Sequence, residues 1–429
     1  MNSEIMMMFR FRLICICLLL SVGLKASTLL IPMDAKQKNH LKAYGIAFWS
    51  LENQNTVDWL LNYRGGSFVI AYQKSIEDEL IIRGVSYELI ADAQYRLIQQ
   101  EIANPEVNQD VVKLEKSPTV AVYSPKNNQP WDDAVTLVLS YAEIPYEVVY
   151  DEEIVRGDLP KYDWLHLHHE DFTGQYGKFW SSNRNKAWYK ENVRVNEAMA
   201  SKLGFEKVAD LKLAVANKIK EFVSGGGFMF AMCAATDSYD IALAASQVDI
   251  CETMFDGDRA NPNAQSQLNY MNGFAFKDYT LVNNPAVYEF SDIDGSQKHR
   301  QFVGARESHD MFTLFEFSAK WDVVPTMLNQ NHEKVIRGFM GQTTSFRKET
   351  LRSDVLVLGE TKSINTAKYI HGSFGKGTWT FYGGHDPEDH THYVGDPPTD
   401  LNLFPSSPGY RLILNNLLFP AAKKKKRKT

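Results

Sequence analysis

The sequence predicts an α/β protein in which a doubly wound parallel sheet follows a small N-terminal α/β domain. Short apolar runs alternate with amphipathic helical segments from Thr119 onward, which is typical of a parallel sheet with helices on both faces. Small and polar residues follow several of these runs, where the strands of such a sheet end and ligands bind. The chain has 429 residues, of which 44% are hydrophobic and 12% aromatic, so it can bury two or three domain cores.

The charge and hydropathy of the chain exclude some partners. The formal net charge of −6 provides no basic field, so we expect no nucleic-acid partner. Beyond the N-terminus no segment is apolar enough to cross a membrane, so we expect no transmembrane segment. The sequence leaves the oligomeric state open.

Residues 1–26 have the pattern of a secretory signal peptide. Arg10 and Arg12 precede the apolar run 13–20, and small residues lead to Ala26. A basic flank, a short apolar run and a small-residue cleavage site are the parts of such a peptide, and the run is short for a retained anchor. We therefore expect cleavage after Ala26 and a periplasmic protein of a Gram-negative-type envelope.

Cys233 and Cys251 are the cysteines that remain after such cleavage. An oxidising compartment permits a bridge between them. Two cysteines do not make a disulfide framework in a chain of this size. Either they pair, or at least one is a thiol kept for another reason.

Residues 27–116 are predicted to form the N-terminal domain. It begins with a strand over 28–31, followed by a polar helical stretch and a strand over 66–72. Apolar residues at helical spacing predict a helix over 87–103. Pro105 and the polar residues after it mark a linker to the next domain.

Residues 117–422 are predicted to form the larger domain. Strands are expected within the strings TVAVYSP, PYEVVYDEEI, YDWLHLHHED and FMFAM, with helices over 131–142 and 211–223. Gly225 and the two glycines after it end the second helix. Because crossovers between parallel strands are right-handed, the carboxyl ends of these strands should lie along one edge of the sheet.

The stretch 246–352 shows no sustained periodicity, and we interpret it as a long excursion that carries a cap or an extra sheet edge. Regular patterns return as strands over 354–358, 368–373 and 378–382, and they end in a helix over 410–419. Residues 423–429 are a basic tail. Such runs are usually solvated, and attraction to an anionic envelope surface is the functional alternative.

Cys233 is the first candidate for chemistry, within the string FMFAMCAATDS. An apolar strand, a cysteine between small residues and a helix expected from near Ser238 form the pattern of a nucleophile elbow. A thiol that faces a helix N-terminus is favoured as the thiolate. The alternative is a small buried hydrophobic residue at the end of a strand.

His385 is the second candidate, within TWTFYGGHDPEDHTH. A strand leads through two glycines to His385, and Asp386, Glu388 and Asp389 follow closely. Because both follow strands of one sheet, Cys233 and His385 should lie at the same edge. A thiol, an imidazole and a carboxylate together serve nucleophilic acyl transfer. A loop histidine that only packs is the alternative.

A third cluster, His168, His169, Glu170 and Asp171, stands at the end of a predicted strand. We interpret it, with Asp386, as a polar rim that binds substrate. Imidazoles and carboxylates are also metal ligands. However, adjacent side chains on a strand point to opposite faces, so His168 and His169 should not chelate together. We therefore expect no metal and no cofactor.

Residues 119–422 resemble the class I glutamine amidotransferase-like superfamily, and within it the trehalose-utilisation (ThuA-like) branch. The resemblance rests on the glycine-rich helix end before the elbow strand, the closing helix, the turn Gly375-Lys376-Gly377 and the strand ending Gly384-His385-Asp386. It implies a flavodoxin-like sheet and an elbow cysteine that attacks an amide carbonyl, with a histidine and a glutamate completing the triad. Cys233 and His385 match the first two roles.

The sequence departs from that pattern at two places. Pro387 occupies the position of the expected glutamate, and Glu388 stands one residue later. Ala231 and Ala235 replace the glycines that usually flank the elbow residue. These changes leave the identity of the third triad member open.

The chain also resembles exported proteins often called asparagine synthetase B, but its residues do not support that activity. Members of that enzyme family expose an N-terminal cysteine and carry an ATP-binding Ser-Gly-Gly loop followed by Asp-Ser. Here Asn2 follows Met1, and Ser224-Gly225-Gly226-Gly227 leads into a predicted buried strand.

Two functions from different classes remain. The first is an exported cysteine-dependent hydrolase or amidase-like enzyme that acts on a small polar envelope or nutrient molecule. The second is a non-catalytic glutamine amidotransferase-like binding or scaffold protein of the cell envelope. The enzyme needs an accessible thiol beside His385, whereas the scaffold tolerates Cys233 buried or bridged to Cys251.

Overall fold

A computed structural model describes residues 26–125, 132–304, 306–322, 325–329 and 333–422. The predicted signal peptide, apart from Ala26, and the basic tail lie outside these residues, and so does Trp131, where the first helix of the larger domain was predicted to begin. The described chain forms two sheets with helices packed against them, which agrees with the predicted α/β class. No helix within the described ranges is long and apolar enough to cross a membrane.

The first sheet is antiparallel, with strand order β4-β1-β3-β2-β5. Its strands are β1 (Ala26–Ile31), β2 (Val57–Leu61), β3 (Ser67–Ala71), β4 (Glu88–Ala91) and β5 (Asp110–Leu114), and its helices are α1 (His40–Glu52), α2 (Lys74–Ile82) and α3 (Asp92–Ala103). Alternate side chains serve two cores, since Leu30 packs with Ile98 and Ile102 of α3 while Leu29 and Ile31 join the core that contains α1.

The helix predicted over 87–103 is wrong at its start. Residues Glu88–Ala91 form β4, which pairs with β1 in antiparallel register, and α3 begins only at Asp92. Leu89 is exposed and Ile90 is buried, which is the alternation of a strand. Pairing with a distant strand therefore outweighs the local helical spacing.

The second sheet has ten strands in the order β11-β10-β13-β14-β15-β9-β8-β6-β7, with β12 paired to β14. These strands are β6 (Val120–Tyr123), β7 (Glu147–Val149), β8 (Trp164–Leu167), β9 (Phe228–Met232), β10 (Met311–Leu314), β11 (Val335–Arg337), β12 (Phe346–Arg347), β13 (Leu356–Thr361), β14 (Thr366–Phe374) and β15 (Gly377–Tyr382). Only β7, β6, β8, β9 and β15 pair in parallel. The predicted parallel pairing is thus present in five of the ten described strands. The other five, β10 to β14, pair in antiparallel register.

Helices cover both faces of the parallel part. The indole of Trp164 on β8 donates a hydrogen bond of 2.8 Å to Asn416 on the last helix, while Tyr123 on β6 accepts one of 3.0 Å from Lys212 on the opposite face. The helices of this part are α4 (Ala134–Tyr141), α5 (Asp151–Arg156), α6 (Trp180–Asn183), α7 (Ala187–Lys202), α8 (Val208–Gly225), α9 (Ala234–Ala244), α10 (Thr253–Asp256), α11 (Ala264–Gln267), α12 (Ser296–Val303) and α13 (Pro408–Leu418).

The excursion 246–352 supplies an extra sheet edge, which was one of the two expectations for it. It contributes β10, β11 and β12, which extend the sheet beyond β13 and β14 in antiparallel pairing. The string PYEVVYDEEI is a strand only over Glu147–Val149, because Asp151–Arg156 turns into α5. The Glu153 carboxylate accepts the Tyr150 backbone N–H at 3.0 Å and so caps that helix.

Helix α13 joins the two sheets. Arg411 donates a hydrogen bond of 2.8 Å to the Gly65 carbonyl, and the hydroxyl of Tyr44 on α1 donates to Asn415. An isolated bridge between Leu114 and Ala422 also ties the end of β5 to the residues after α13. Helix α13 therefore adds buried polar contacts to the apolar core that the two sheets share.

Candidate functional site

Three neighbouring parallel strands end at one edge of the second sheet. Leu167 of β8 is in register with Ala231 of β9, and Met232 of β9 is in register with Tyr382 of β15. The residues that follow these strand ends therefore lie side by side. They include His168 and His169 after β8, Cys233 after β9 and His385 after β15, so the shared edge expected for these residues is present.

Cys233 forms a strained turn between β9 and α9. Its backbone angles are φ 51° and ψ −139°, and helical residues begin at Ala234. Residues other than glycine rarely adopt this conformation, which costs roughly 1–3 kcal/mol and is common at functional sites. The expected helix start near Ser238 is wrong by about a turn, because the small residues at 234 and 235 continue directly from the elbow into the helix.

The Cys233 thiol is protected from solvent, with 4% of the residue exposed. Burial raises the pKa of the thiol to about 12, although the backbone N–H groups of Ala234 and Gln342 face the sulfur and act in the opposite direction. The neighbouring carboxyl groups of Asp237 and Asp294 raise it further. The expected thiolate at neutral pH is therefore wrong for this structure, because desolvation outweighs the two amides and the helix N-terminus.

The second amide at the thiol comes from the loop 340–345. The Gln342 side chain donates to the carbonyls of Gly177 and Tyr288, at 3.0 and 3.1 Å. Thr343 donates a hydrogen bond of 2.8 Å to Asp237 in the first turn of α9. Sequence reasoning missed this loop because it lies in the excursion without periodicity. Its only signal was the string GQTTS, a glycine followed by small polar residues.

The imidazoles of His168, His169 and His385 form a compact cluster. Their ring centroids are separated by 4.3 Å between His168 and His169, 4.6 Å between His168 and His385, and 5.3 Å between His169 and His385. One nitrogen from each ring lies within 4.8 Å of the others. The prediction that His168 and His169 point apart is wrong, because β8 ends at Leu167 and both residues lie in the loop beyond it.

Asp133 supports this cluster from the N-terminus of α4. Its carboxylate lies 3.3 Å from Nδ1 of His168 and 3.2 Å from Nε2 of His166. It also caps the helix by accepting the N–H groups of Val135 and Thr136. Burial alone would raise the pKa of Asp133, but the two imidazoles hold it well below its ordinary value. Sequence reasoning placed the helix here without assigning Asp133 a role.

His385 is 7% exposed, and burial lowers its pKa well below the ordinary value, with His168 and His392 adding to the effect. Its ring stacks on that of His392 at 4.6 Å and an angle of 4°. The ion pair with Asp132 at 2.7 Å, and then the hydrogen bond with Asp389, raise the pKa of His392 to about 9. A neutral imidazole is thus stacked on a charged one.

Cys233 and His385 line the same cavity, which has a volume of about 240 Å³. His169, Gln342 and His392 also line it. The cavity therefore places a thiol, two backbone amides and several imidazoles around a space large enough for a small molecule.

The structure does not bring every predicted residue to this cavity. Glu388 interacts with Ser407, and burial raises its pKa. It is not a lining residue, so the predicted role of Glu388 beside His385 is not supported by its position. Asp386 is fully buried and accepts hydrogen bonds from the backbone of Glu388 and the hydroxyl of Thr399, at 2.8 and 2.9 Å. It shapes the loop and is not a lining residue of the cavity.

The acidic residues after His169 are also turned away from this cavity. Asp171 accepts the backbone N–H groups of Thr173 and Gly177, at 2.7 and 3.0 Å, and so folds its own loop. Glu170 faces a separate small pocket, and burial raises its pKa to about 7. Of the predicted rim, only His168 and His169 belong to the cluster.

Cys233 and Cys251 are both free thiols in the structure. Cys251 is buried, and its Sγ donates to the Thr173 carbonyl at 3.2 Å. The alternative of a bridge between the two cysteines is therefore not realised. Cys251 lies outside the cavity that Cys233 lines.

No family model matches the chain, and no curated protein matches it. Among solved structures, the cytoplasmic proteins STM3548 of Salmonella typhimurium and STM1381 of Salmonella typhimurium LT2 are 11% and 10% identical, each with a TM-score of 0.33. The match with STM3548 covers 72% of this chain and 100% of that protein, and the match with STM1381 covers 71% of this chain and 99% of that protein. Gan42B, a GH42 beta-galactosidase, matches 63% of this chain over 28% of its own, at 11% identity and a TM-score of 0.27. Likenesses this distant carry no argument about function.

Proposed function

We propose that this protein is an exported cysteine-dependent hydrolase of the amidase type, in which Cys233 attacks the carbonyl carbon of a small polar substrate. The observation that carries the proposal is the strained backbone of Cys233 at φ 51° and ψ −139°. A cysteine that only fills a core does not need this conformation, whereas a nucleophile elbow does, because the turn exposes the sulfur to a ligand.

The protonation states favour a mechanism that starts from a neutral pair. Burial raises the pKa of Cys233 and lowers that of His385, so the thiol is protonated and the imidazole is neutral at neutral pH. As the Sγ–C bond forms, the thiol proton passes to His385, and the carbonyl oxygen becomes an oxyanion. Collapse of this intermediate expels the amine, which takes the proton from His385, and water then hydrolyses the thioester.

Two backbone amides are available for the oxyanion. The N–H of the residue after an elbow nucleophile, together with one from another loop, commonly forms an oxyanion hole. Ala234 and Gln342 are the corresponding donors here, since both face the Cys233 sulfur. The carboxylate that orients the histidines in this scheme is Asp133, through His168, in place of the predicted Glu388.

The order of the parallel strands supports a flavodoxin-like, doubly wound architecture for this part of the chain. Taken in sequence order, β6, β7, β8, β9 and β15 are arranged in space as 2-1-3-4-5. Ligands in such sheets bind at the carboxyl ends of the strands, which is where the cavity lies. We retain the glutamine amidotransferase-like relationship and the periplasmic location as proposals. A mature N-terminus near Ser27 by mass spectrometry is the expected sign of export.

A non-catalytic binding protein is the second candidate function. The observation that favours it is the low exposure of Cys233 together with a thiol pKa raised to about 12. A thiol of this kind is inert unless a bound substrate and a base take its proton.

A panel of polar amides and p-nitrophenyl esters tests the enzymatic proposal. We expect Cys233→Ala to lower kcat/KM for the best substrate by at least about 10³-fold, and His385→Ala by about 10²–10⁴-fold. Cys251→Ala is the matched control, because it removes the other buried thiol, and it should leave turnover unchanged. Equal turnover by wild type and Cys233→Ala, or binding without hydrolysis across the panel, would leave the binding protein as the better description.

A further inference from the structure

Two histidines of the cluster, His168 and His385, have ring nitrogens that the described protein around them does not satisfy. His168 is 1% exposed; its Nδ1 faces Asp133, and its Nε2 has no hydrogen-bond partner within the described residues. The backbone of Asp132 faces His385, yet neither ring nitrogen of His385 makes a hydrogen bond of normal geometry in the same part of the chain. Buried polar atoms are rarely left in this state unless an ion or water satisfies them.

We propose that His168, His169 and His385 bind a divalent transition-metal ion of the zinc class. Imidazole is a preferred ligand of such ions, and three protein ligands leave a fourth position open to water or substrate. Zinc–nitrogen bonds of about 2.0–2.1 Å require the three nitrogens to lie about 3.3 Å apart. The three nitrogens lie within 4.8 Å of one another. Rotation of the imidazole rings about their side-chain bonds could therefore bring them to the shorter spacing that zinc requires.

Asp133 fits the role of a carboxylate behind a metal ligand. Histidine ligands usually donate their second ring N–H to a carboxylate or carbonyl, which fixes the tautomer and aims the other nitrogen at the ion. The contact of 3.3 Å between Asp133 and Nδ1 of His168 leaves Nε2 as the nitrogen that can bind an ion. The carboxylate is itself fixed as the N-cap of α4, so the ligand is held by a rigid element.

The Cys233 thiol is not one of the ligands. The cluster whose atoms lie within ligand spacing contains only the three histidines. A bound ion would therefore have three nitrogen ligands. Its open fourth position would face the cavity that Cys233 lines. This separation allows the metal site and the thiol to be tested independently.

A metal ion at this cluster would also affect the proposed hydrolase, because His385 serves both. A His385 nitrogen that holds an ion is no longer available to take the Cys233 proton. Metal binding and proton transfer to His385 therefore compete, and zinc should slow the chemistry of Cys233 in proportion to the occupancy of the site.

Metal titration of the full-length protein tests the proposal. The protein is treated with a chelator, and Co²⁺ alone and then Zn²⁺ alone are added while visible absorption and calorimetry are recorded. We expect one ion per chain, with the spectrum of a four-coordinate nitrogen site and no sulfur-to-cobalt charge-transfer band. His168→Ala and His385→Ala should each weaken binding by more than about 100-fold, and Asp133→Asn by about 10–100-fold. His309→Ala removes an exposed histidine outside the cluster and should bind like wild type.

The Cys233→Ala variant separates this inference from the proposed function. It should bind the ion normally, because the thiol is not a ligand. Absence of stoichiometric binding to correctly folded wild type, or binding that survives both His168→Ala and His385→Ala, would overturn the metal site. Circular dichroism establishes that each variant is folded, and Asp133→Asn, which keeps all three ligands, covers the case in which an alanine variant does not fold. If zinc binds as expected but does not slow the alkylation of Cys233, the metal site stands and His385 is not the base of the hydrolase.

Discussion

At the scale of single residues, Cys233 combines a strained backbone with a buried side chain. Alanine and glycine both delete the thiol, but only glycine adopts φ 51° and ψ −139° without a steric cost. Elsewhere in proteins glycine is the less stable of the two, because it loses more conformational entropy on folding. At position 233 we therefore expect the glycine variant to be more stable than the alanine variant.

We predict that Cys233→Gly is more stable than Cys233→Ala by about 1–2 kcal/mol. The measurement is the free energy of unfolding of both variants in urea. Ala235→Gly in α9 is the control, since Ala235 lies in a helix and its replacement should be destabilising by about 1 kcal/mol. An alanine variant at 233 as stable as the glycine variant would show that the elbow is not strained.

The residues that directly follow strands were predictable from the sequence. His168, His169, Cys233 and His385 come after apolar runs, so their meeting at one edge required only the rule for parallel strands. Their protonation was not predictable, because the depth of burial depends on loops from elsewhere in the chain. Glu388 shows the same limit: it was assigned by its spacing from His385, while the loop around Asp386 turns it toward Ser407.

At the scale of elements, the loop 340–345 depends on a buried lysine of β14. Lys368 donates hydrogen bonds to the carbonyls of Phe339 and Thr344, the latter at 2.8 Å. Its ammonium group also lies over the Phe339 ring, 3.9 Å from the centroid. Burial lowers the pKa of Lys368 to about 7. This side chain holds both ends of the segment that carries Gln342 to the thiol.

We predict that Lys368→Met destabilises the protein by about 2–4 kcal/mol, because two buried carbonyls lose their donor. Hydrogen exchange should quicken at the amides of residues 341–345 before the rest of the sheet is affected. Lys362→Met, at a lysine whose side chain is 77% exposed, is the control and should change stability by less than about 0.5 kcal/mol. Unchanged exchange in this loop would mean that Lys368 does not hold it.

Strands that coincide with apolar runs were predicted, including the short β6, β7 and β8, whereas the strands of the excursion were not. β1, β3, β9 and β15 are apolar over most of their length and are buried, so periodicity alone identified them. β10, β11 and β12 have two to four residues each, and they exist because β13 and β14 offer partners. In the antiparallel half of the sheet, β13 and β14 were therefore predicted from local pattern, whereas β10, β11 and β12 could not be.

At the scale of the whole molecule, α13 couples the two sheets. Asn415 accepts a hydrogen bond from Tyr44 of α1 and donates one of 3.4 Å to the Met327 carbonyl. Arg411, one turn earlier, reaches the Gly65 carbonyl. Because these contacts are buried and shared, we expect that neither sheet keeps its packing when the other unfolds.

We predict that Asn415→Ala lowers the free energy of unfolding by about 2 kcal/mol while unfolding remains a single transition. Fluorescence of buried tryptophans in both sheets (Trp59, Trp164 and Trp379) and far-ultraviolet circular dichroism should give coincident curves. The exposed Asn402→Ala is the control. Separate transitions for the two sheets in wild type would contradict the coupling.

The distance along the chain between Cys233 and Gln342 has a consequence for timing. A growing chain that has just completed α9 carries the cysteine but lacks the amide from loop 340–345, the imidazole after β15 and the closing helix α13. During synthesis, domains fold as their residues emerge, so the last quarter or so of the chain decides when the cavity closes. A chain that lacks these last elements therefore cannot form the complete cavity, in whichever compartment it folds.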